Sequence, residues 1–278
     1  MDTHRFIIVR YSMITKGGMG WRIGELEGRS YKEILFSNER LEMHEKLFRE
    51  ITLPSLLNQR VHFDSKDVTL LVVTSDELPK LYLDRLEDLL APYSWAKVVQ
   101  TPGNDFQSSL ISAVVKNELT KFTEDVCYAT IRLDDDDALS IDFLEKLNNY
   151  INPAYSGFVI SFGKGYAGVY TEQGKFSNFH KYYYPKIALG MTFINVYDAF
   201  TKTVREEEAT IFFRQGRHMS SDKHYRTIVD SRTEMFMRTL HLASDTNKDY
   251  KKIEKIKSGE LAEPEEVLKK FPFLSSQL

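Results

Sequence analysis

Apolar residues in the first half of the chain form short unbroken runs, separated by longer amphipathic stretches. Four of these runs have the length of a strand and lack the alternation of a half-exposed one: residues 5–11, 68–74, 95–99 and 127–133. Helical spacing of apolar residues predicts helices between the runs, over residues 38–59, 81–90 and 105–122. The alternation predicts an α/β fold with a Rossmann-like, mainly parallel sheet flanked by helices on both faces.

The second half follows a different pattern. Residues 157–184 are rich in aromatic residues and glycine, which favours twisted antiparallel strands and substrate-facing loops. Residues 209–213 resemble a last strand, and a polar loop follows over residues 214–225. Beyond Ser244 the chain is lysine-rich, with a short helix predicted after Pro264 and an apolar segment at 271–274 that could dock on the body. We therefore divide the chain into a domain of residues 1–244 and an extension of residues 245–278.

The net charge and the cysteine content indicate which partners the protein binds and in which compartment it resides. The formal net charge is −3, so we expect no broad basic surface for nucleic acid. The single cysteine, Cys127, lies in an apolar run, which predicts a buried thiol and a reducing compartment. The N-terminus lacks the apolar core of a signal peptide, and no run of about 18 apolar residues occurs, so we expect a cytoplasmic protein. The basic tail (Lys248, Lys251, Lys252, Lys255, Lys257) is either a solvated helix face or a peripheral contact with the inner face of an anionic membrane.

Four consecutive carboxylates, Asp134 to Asp137, follow the strand predicted at 127–133. Neighbouring like charges in a partly desolvated site repel one another, so a cation is expected to offset them. Mg²⁺ and Mn²⁺ take oxygen ligands and bridge carboxylates to substrate phosphates, and open α/β sheets bind ligands at this edge. One aspartate could instead cap the helix that begins near Ser140. Capping needs a single oxygen, so a divalent metal site is the better interpretation of all four.

The string at residues 130–139 resembles the DxD element of GT-A glycosyltransferases, and more closely the Arg-Leu-Asp-x-Asp-Asp-Ala-Leu motif of the bacterial putative rhamnosyltransferase family. Residues 9–12, 54–59 and 187–192 are similar to further segments of that family. The resemblance covers residues 5–225. It implies a GT-A fold and transfer of a sugar, rhamnose or another hexose, from a UDP- or dTDP-linked donor. The acceptor would be a glycan or lipid-linked glycan in bacterial surface polysaccharide synthesis.

Carried over by position, the resemblance implies roles for the acidic residues. Asp134, with Asp135 beside it, would contact the donor nucleoside. Asp136 would ligate the Mn²⁺ or Mg²⁺ that bridges the diphosphate. Asp137 would be an alternative ligand or would support the metal indirectly.

Three further residues are candidates for donor binding. Arg10 and Arg132 would lie near the donor as cations, although Arg132 could equally form a structural ion pair with the aspartates. Ser75 ends a neighbouring predicted strand and could contact the base or ribose. Strand-end turns often carry the same residue types for purely structural reasons.

Residues 218–222 are the nearest match to a late element of the family, although the family's asparagine is missing. The resemblance implies that His218 is a further metal ligand, with a loop histidine as the alternative. If the reaction inverts, a carboxylate must take the acceptor proton, and Asp222 is the candidate. The glutamates at 206–208 are rivals for that role and are more typical of a solvated turn.

Other signals are weaker. Residues 163–168 match a dinucleotide-binding glycine pattern, but strand-like sequence follows where that motif requires a helix, so we predict a flexible hairpin or substrate loop there. The glycine-rich residues 16–20 lack the Lys-Ser/Thr of a P-loop. One set of aromatic residues is either a platform for a sugar or core packing: Phe176, Phe179, His180, Tyr182, Tyr183 and Tyr184.

Two other functions use the same acidic run. A phosphoryl or nucleotidyl transferase would also need a basic phosphate-binding motif, which the sequence does not display. A non-enzymatic Ca²⁺-binding module would bind its ion tightly without nucleotide.

Overall fold

The computed structural model describes residues 1–15, 31–61, 64, 66–213, 218–241 and 250–278, the last range without the side chains of 250–252. The strands in these ranges are β1 (Asp2–Tyr11), β2 (Val68–Ser75), β3 (Ala96–Thr101), β4 (Val126–Asp134), β5 (Ala138–Leu139), β6 (Phe158–Tyr170), β7 (Phe176–Tyr183), β8 (Thr192–Asp198), β9 (Thr203–Val204), β10 (Arg226–Leu240) and β11 (Leu261–Ala262). The α-helices are α1 (Tyr31–Leu35), α2 (Asn38–Leu47), α3 (Leu53–Leu57), α4 (Lys80–Leu90), α5 (Gln107–Leu119), α6 (Phe143–Leu147), α7 (Tyr250–Lys257) and α8 (Pro264–Lys270). A π-helical turn, Phe48–Thr52, joins α2 to α3.

The strands form one mixed sheet in the order β11-β7-β6-β8-β4-β1-β2-β3. Its first-half strands are parallel: β1 pairs with β2 and β4, and β2 pairs with β3. Next to β4 the sheet becomes antiparallel through β8, β6 and β7. The long strand β10 runs parallel to β6 and pairs with β5 at its other edge. The predicted α/β class, a mainly parallel sheet flanked by helices, is confirmed.

Alternate residues of β1 enter two different cores. Ile7 and Val9 pack in the cluster that contains α2 and α4 residues, whereas Phe6 and Ile8 pack in the cluster that contains α5 residues. All four side chains are buried, so β1 is covered on both faces, as its unbroken apolar run predicted. Each such burial contributes about 1.5–3 kcal/mol.

The prediction of a strand at residues 209–213 is wrong. These residues form an irregular segment because their backbone N–H groups bond to side chains: Ile211 donates to Thr130 Oγ1 at 2.8 Å and Phe212 donates to Thr210 Oγ1 at 3.2 Å. Instead, the last strand of the main body is β10, which the sequence analysis did not predict. Residues 163–168 continue within β6, so the flexible hairpin or substrate loop predicted there is wrong, although the dinucleotide-binding helix is missing as expected. The glycine-rich residues 16–20 lie outside the described residues.

The C-terminal residues pack against the body as predicted. Phe271 and Leu274 are fully buried, and β11 adds to the sheet beside β7. In α7, Ile256 packs against Ala167 and Leu240. Within the described ranges, no helix has the length and apolar character needed to cross a membrane.

An ion pair joins α8 to the residues before α6, and its contribution to stability can be measured. Lys270 Nζ donates to Asp142 Oδ2 at 2.7 Å, and Ser140 Oγ donates to Oδ1 at 2.9 Å. Burial opposes ionisation of Asp142, but these hydrogen bonds outweigh it and lower its pKa. A lowered pKa stabilises the fold above the unfolded pKa of about 4, and the contribution is lost as the pH falls below it.

We expect Asp142→Asn to lower the free energy of unfolding by about 2 kcal/mol at neutral pH, because one charged hydrogen bond is lost. The difference from wild type should shrink as the pH falls below about 4. Urea unfolding at several pH values measures both effects, with Asp88→Asn on the exposed face of α4 as the control. A difference that stays constant with pH would contradict an ionised Asp142.

Candidate active site

The four aspartates lie where β4 ends, at the C-terminal edge of the parallel strands. Residues 135 and 136 form a turn in which Asp137 N donates to Asp134 O at 3.4 Å. The side chains alternate in exposure. Those of Asp134 and Asp136 are 29% and 16% exposed, whereas Asp135 and Asp137 are buried. Two carboxylates are therefore accessible to a ligand and two are directed into the protein.

The π-helical turn and the α3 segment hold the backbone of this turn. Thr52 Oγ1 donates to Asp137 O at 2.9 Å. Gln59 Nε2 donates to Ser140 O at 2.7 Å, and Gln59 Oε1 accepts from Leu144 N at 3.0 Å. These bonds give a physical role to the segment at 54–59 that the sequence analysis singled out.

Two arginines share the Asp134 carboxylate. Arg10 and Asp134 are register partners on β1 and β4, and Arg10 Nη2 donates to Asp134 Oδ1 at 2.5 Å. Arg132 Nη2 lies 3.7 Å from the other oxygen. Both guanidinium groups lie over the ring of Phe212, at 5.8 and 5.5 Å from its centre. Two guanidinium groups therefore share one carboxylate.

The pKa values follow from this arrangement. Burial opposes ionisation of Asp134, but the charges of Arg10 and Arg132 hold its pKa well below the usual range. Burial and the neighbouring charge of Arg10 lower the pKa of Arg132 to about 10. Asp134 and Arg132 are therefore charged at neutral pH, and an incoming anion meets two arginines that share a single carboxylate.

A buried imidazole–carboxylate pair lies directly behind the turn. His44 Nδ1 and Asp135 Oδ1 are 2.9 Å apart, and both side chains are almost fully buried. Among the described residues, neither His44 Nε2 nor Asp135 Oδ2 has a hydrogen-bond partner. Buried polar atoms without partners are costly, so these two atoms are suited to a further ligand such as a metal ion or water.

A second pair lies beside the first. His241 Nε2 and Asp136 Oδ2 are 2.9 Å apart, and the His44 and His241 rings lie 5.6 Å apart at a steep angle. Burial opposes ionisation of Asp136, but the hydrogen bond from His241 and its charge lower the pKa of Asp136. One ligand atom from each of His44, Asp135 and Asp136 falls within 4.8 Å of the others. These three residues are the candidate metal ligands.

Asp137 is differently placed. Its Oδ1 accepts a hydrogen bond from Thr239 N at 2.9 Å, so the carboxyl group is directed at the β10 backbone. Burial and the adjacent charge of Asp136 raise its pKa well above the usual range. Among the described residues, the cluster of candidate ligands includes Asp136 but neither Asp137 nor His218.

His218 and Asp222 come together on a short 3-10 helix, His218–Lys223. The carbonyl oxygen of Lys186 lies 2.7 Å from His218 Nδ1, and Lys186 Nζ donates to Asp222 Oδ1 at 2.5 Å. That bond lowers the pKa of Asp222. The loop that carries Lys186 returns to β4, where Gly190 N donates to Arg132 O at 2.8 Å. Both residues thus contact the loop that also reaches Arg132, and their roles as ligand and base stay predictions.

Ser75 lies at the end of β2 and is buried. Its Oγ accepts a hydrogen bond from Glu77 N at 3.1 Å, which closes the strand-end turn. This contact supplies a structural reason for the serine, and contact with the base or ribose stays a prediction.

The sequence analysis did not predict two histidines of the site. His44 occupies the buried face of α2 one turn after Arg40, and both are buried beside Leu41 and Leu47. A histidine on the apolar face of a predicted helix was a signal in the sequence that could have identified His44. His241 directly follows β10, so it could be placed only once that strand was known.

Comparison with known proteins identifies a matching protein family. The family model described as "Putative rhamnosyl transferase" matches residues 5–253. None of the curated proteins compared with the chain matches it.

Solved structures of S. aureus TarS are similar at low identity. The structure of TarS 1-349 in complex with UDP-GlcNAc has a TM-score of 0.45 at 14% identity, over 90% of this chain and 62% of that chain. TarS 1-349 alone gives 0.40 at 16% identity, over 86% and 60%. A third TarS structure gives 0.38 at 15% identity, over 86% and 37%. This chain therefore spans less than two thirds of those chains, and the TM-scores are too low for the likeness to bear on function.

Proposed function

This chain belongs to the putative rhamnosyl transferase family and is a glycosyltransferase, and from that premise we propose that its reaction is metal-dependent. The donor is a UDP- or dTDP-linked sugar, rhamnose or another hexose. The acceptor is a glycan or lipid-linked glycan in bacterial surface polysaccharide synthesis. We propose a cytoplasmic location, in which the lysine-rich C-terminal region is either a solvated helix face or a peripheral contact with the inner face of the membrane.

The observation that carries this proposal is the alternating aspartate turn beside two arginines. Asp134 and Asp136 are accessible, while Arg10 and Arg132 share the single carboxylate of Asp134. Guanidinium groups bind phosphate oxygens through paired, charge-assisted hydrogen bonds. The two arginines would exchange part of their contact with Asp134 for the donor diphosphate.

The residues present fit a divalent metal ion. His44, Asp135 and Asp136 offer one nitrogen and two carboxylates, and two of their buried atoms have no partner among the described residues. An imidazole in the set favours Mn²⁺ over Mg²⁺, because Mg²⁺ takes oxygen ligands. When bound, the ion supplies positive charge that stabilises the departing nucleoside diphosphate.

Asp222 is the proposed base if the reaction inverts. Its side chain is about half exposed and its pKa is lowered by Lys186, so it is ionised at neutral pH. An ionised carboxylate can accept the proton of an acceptor hydroxyl.

Thermal unfolding tests the proposal. We expect saturating UDP or dTDP with Mn²⁺ to raise the unfolding temperature by about 5 °C, because a ligand that binds only the folded state stabilises it. The shift should vanish in Asp136→Ala and persist in Asp88→Ala, which changes an exposed carboxylate on α4. Stabilisation by Ca²⁺ alone, with no response to either nucleotide, would indicate a structural metal site. A nucleotide response that needs no metal would contradict metal dependence.

A further inference from the structure

The sequence assigned one set of aromatic residues either to the core or to a platform for a sugar. In the structure these residues separate into two groups. Phe176, Phe179 and His180 are buried in the core. Tyr182 and Tyr184 are only partly buried, and their rings lie 6.0 Å apart with 30° between their planes. Together these two stacked rings form an aromatic surface at the end of β7.

The backs of both tyrosines are held by the sheet. Each ring packs against the largest hydrophobic cluster. Tyr182 contacts Phe236 edge-on, with ring centres 6.2 Å apart, and Tyr184 N donates to Gly163 O at 2.8 Å. A pre-positioned aromatic surface binds a ligand without first having to be ordered.

This surface adjoins the aspartate turn. Tyr182 contacts Phe236 on β10 and is hydrogen-bonded to Arg238 on the same strand. The next residue of β10, Thr239, donates its N–H to Asp137 Oδ1 at 2.9 Å. The inner end of the aromatic surface is therefore next to the proposed donor site.

Its other end meets the loop that carries the proposed base. The ring centres of Tyr184 and His218 are 6.4 Å apart. Two residues beyond Tyr184, Lys186 forms the ion pair with Asp222. The aromatic surface thus lies between the groups proposed to hold the donor and the group proposed to accept the acceptor's proton.

We propose that Tyr182 and Tyr184 form the acceptor subsite, on which one pyranose ring of a glycan acceptor lies with its C–H face against the two rings. Aromatic faces carry negative charge density that suits polarised C–H groups. Arg238, Lys186 and Asp222 at the rim supply the polar groups that orient hydroxyls, the arrangement typical of small-molecule sites. This inference rests on the proposed function, because it takes the aspartate turn to be the donor site.

Saturation-transfer NMR and titration with simple glycosides test the subsite. The probes are methyl α-L-rhamnopyranoside, methyl α-D-glucopyranoside and methyl α-D-galactopyranoside, added to the full chain with Mn²⁺ and UDP or dTDP. We expect ring C–H signals with wild type and an affinity about tenfold lower in Tyr184→Ala. Tyr184→Phe keeps the ring and should stay within about twofold of wild type. Tyr183→Ala, at an exposed neighbouring position, is the matched control.

Nucleotide-dependent thermal stabilisation of the same samples separates the two proposals. If wild type shows no nucleotide response, the proposed function fails. If nucleotide stabilises wild type and Tyr184→Ala alike, but the variant binds the glycosides equally well or wild type binds none of them, the acceptor subsite is overturned. Loss in Tyr184→Phe as large as in Tyr184→Ala would also overturn it, because stacking would then not be the source of affinity.

Discussion

Replacing His44 with glutamine is expected to weaken Mn²⁺ binding, measured with UDP or dTDP present, by about a hundredfold. The same change at His218 should leave Mn²⁺ affinity within about twofold of wild type. The difference follows from position: His44 shares a cluster of candidate ligands with Asp135 and Asp136, whereas His218 lies against the Lys186 carbonyl.

Glutamine is chosen because it separates metal binding from folding. Its amide N–H can still donate to the buried Asp135 carboxylate, which would otherwise be left unpaired at a large cost in stability. An amide nitrogen does not ligate metal as an imidazole does, so one ligand of the set is lost. Circular dichroism and the unfolding temperature without metal should therefore remain close to wild type.

Isothermal titration calorimetry of Mn²⁺ gives the affinities directly. A weakened His218→Gln beside an unaffected His44→Gln would support the ligand set first predicted from sequence, which is Asp136, Asp137 and His218. Equal weakening of both variants would place both histidines at the ion. Only a large loss confined to His44→Gln agrees with the buried cluster.

The first half of the fold could be predicted because β1, β2 and β4 are covered on both faces. A strand in that position must be apolar throughout, so its sequence pattern depends little on its neighbours. Arg10 and Asp134 were assigned to the donor site by the family resemblance, and parallel strands, whose C-terminal ends meet at one edge, bring the two residues side by side. Their direct ion pair is consistent with that assignment.

The second half could not be predicted in the same way. The first part of β10 is half exposed and largely polar, and its pairing with β6 shifts register after Asp230 and again after Glu234. A strand with these interruptions has no simple alternation, and its partner lies far away in sequence. Arg238 and His241, which depend on β10, were missed for this reason.

The aspartate run illustrates a second limit. The four residues are chemically identical, so their chemistry alone supports one shared role, and the separate roles in the sequence analysis came from the family resemblance. The turn after Asp134 gives each carboxylate a different partner: arginines, His44, His241 or the Thr239 backbone. Only backbone geometry decides which carboxylates remain accessible.

Gly165→Ala is expected to lower the free energy of unfolding by about 3 kcal/mol, the largest single effect on stability that we predict. Gly165 lies in β6 between its register partners Phe236 on β10 and Tyr182 on β7. A Cβ atom there would overlap the Phe236 carbonyl oxygen and also meet its ring. Because the nearest atom belongs to the backbone, relief requires β10 to move away from β6.

Such a movement would reach the active site. The Phe236 ring supports Tyr182 edge-on, and β10 leads through Thr239, which donates to Asp137, to His241, which contacts Asp136. We therefore expect Gly165→Ala to weaken both glycoside binding and metal-dependent nucleotide binding, although it touches neither ligand. This joint loss would distinguish a displaced strand from local damage to the tyrosines.

Urea unfolding of Gly165→Ala beside Ser161→Ala provides the comparison within one strand. Ser161 Oγ is buried without a hydrogen-bond partner among the described residues, so its removal should change the free energy of unfolding by no more than about 0.5 kcal/mol. A loss below about 1 kcal/mol in Gly165→Ala would show that β10 yields easily. In that case the close approach of β6 and β10 would not be what fixes Tyr182 and His241 relative to the aspartate turn.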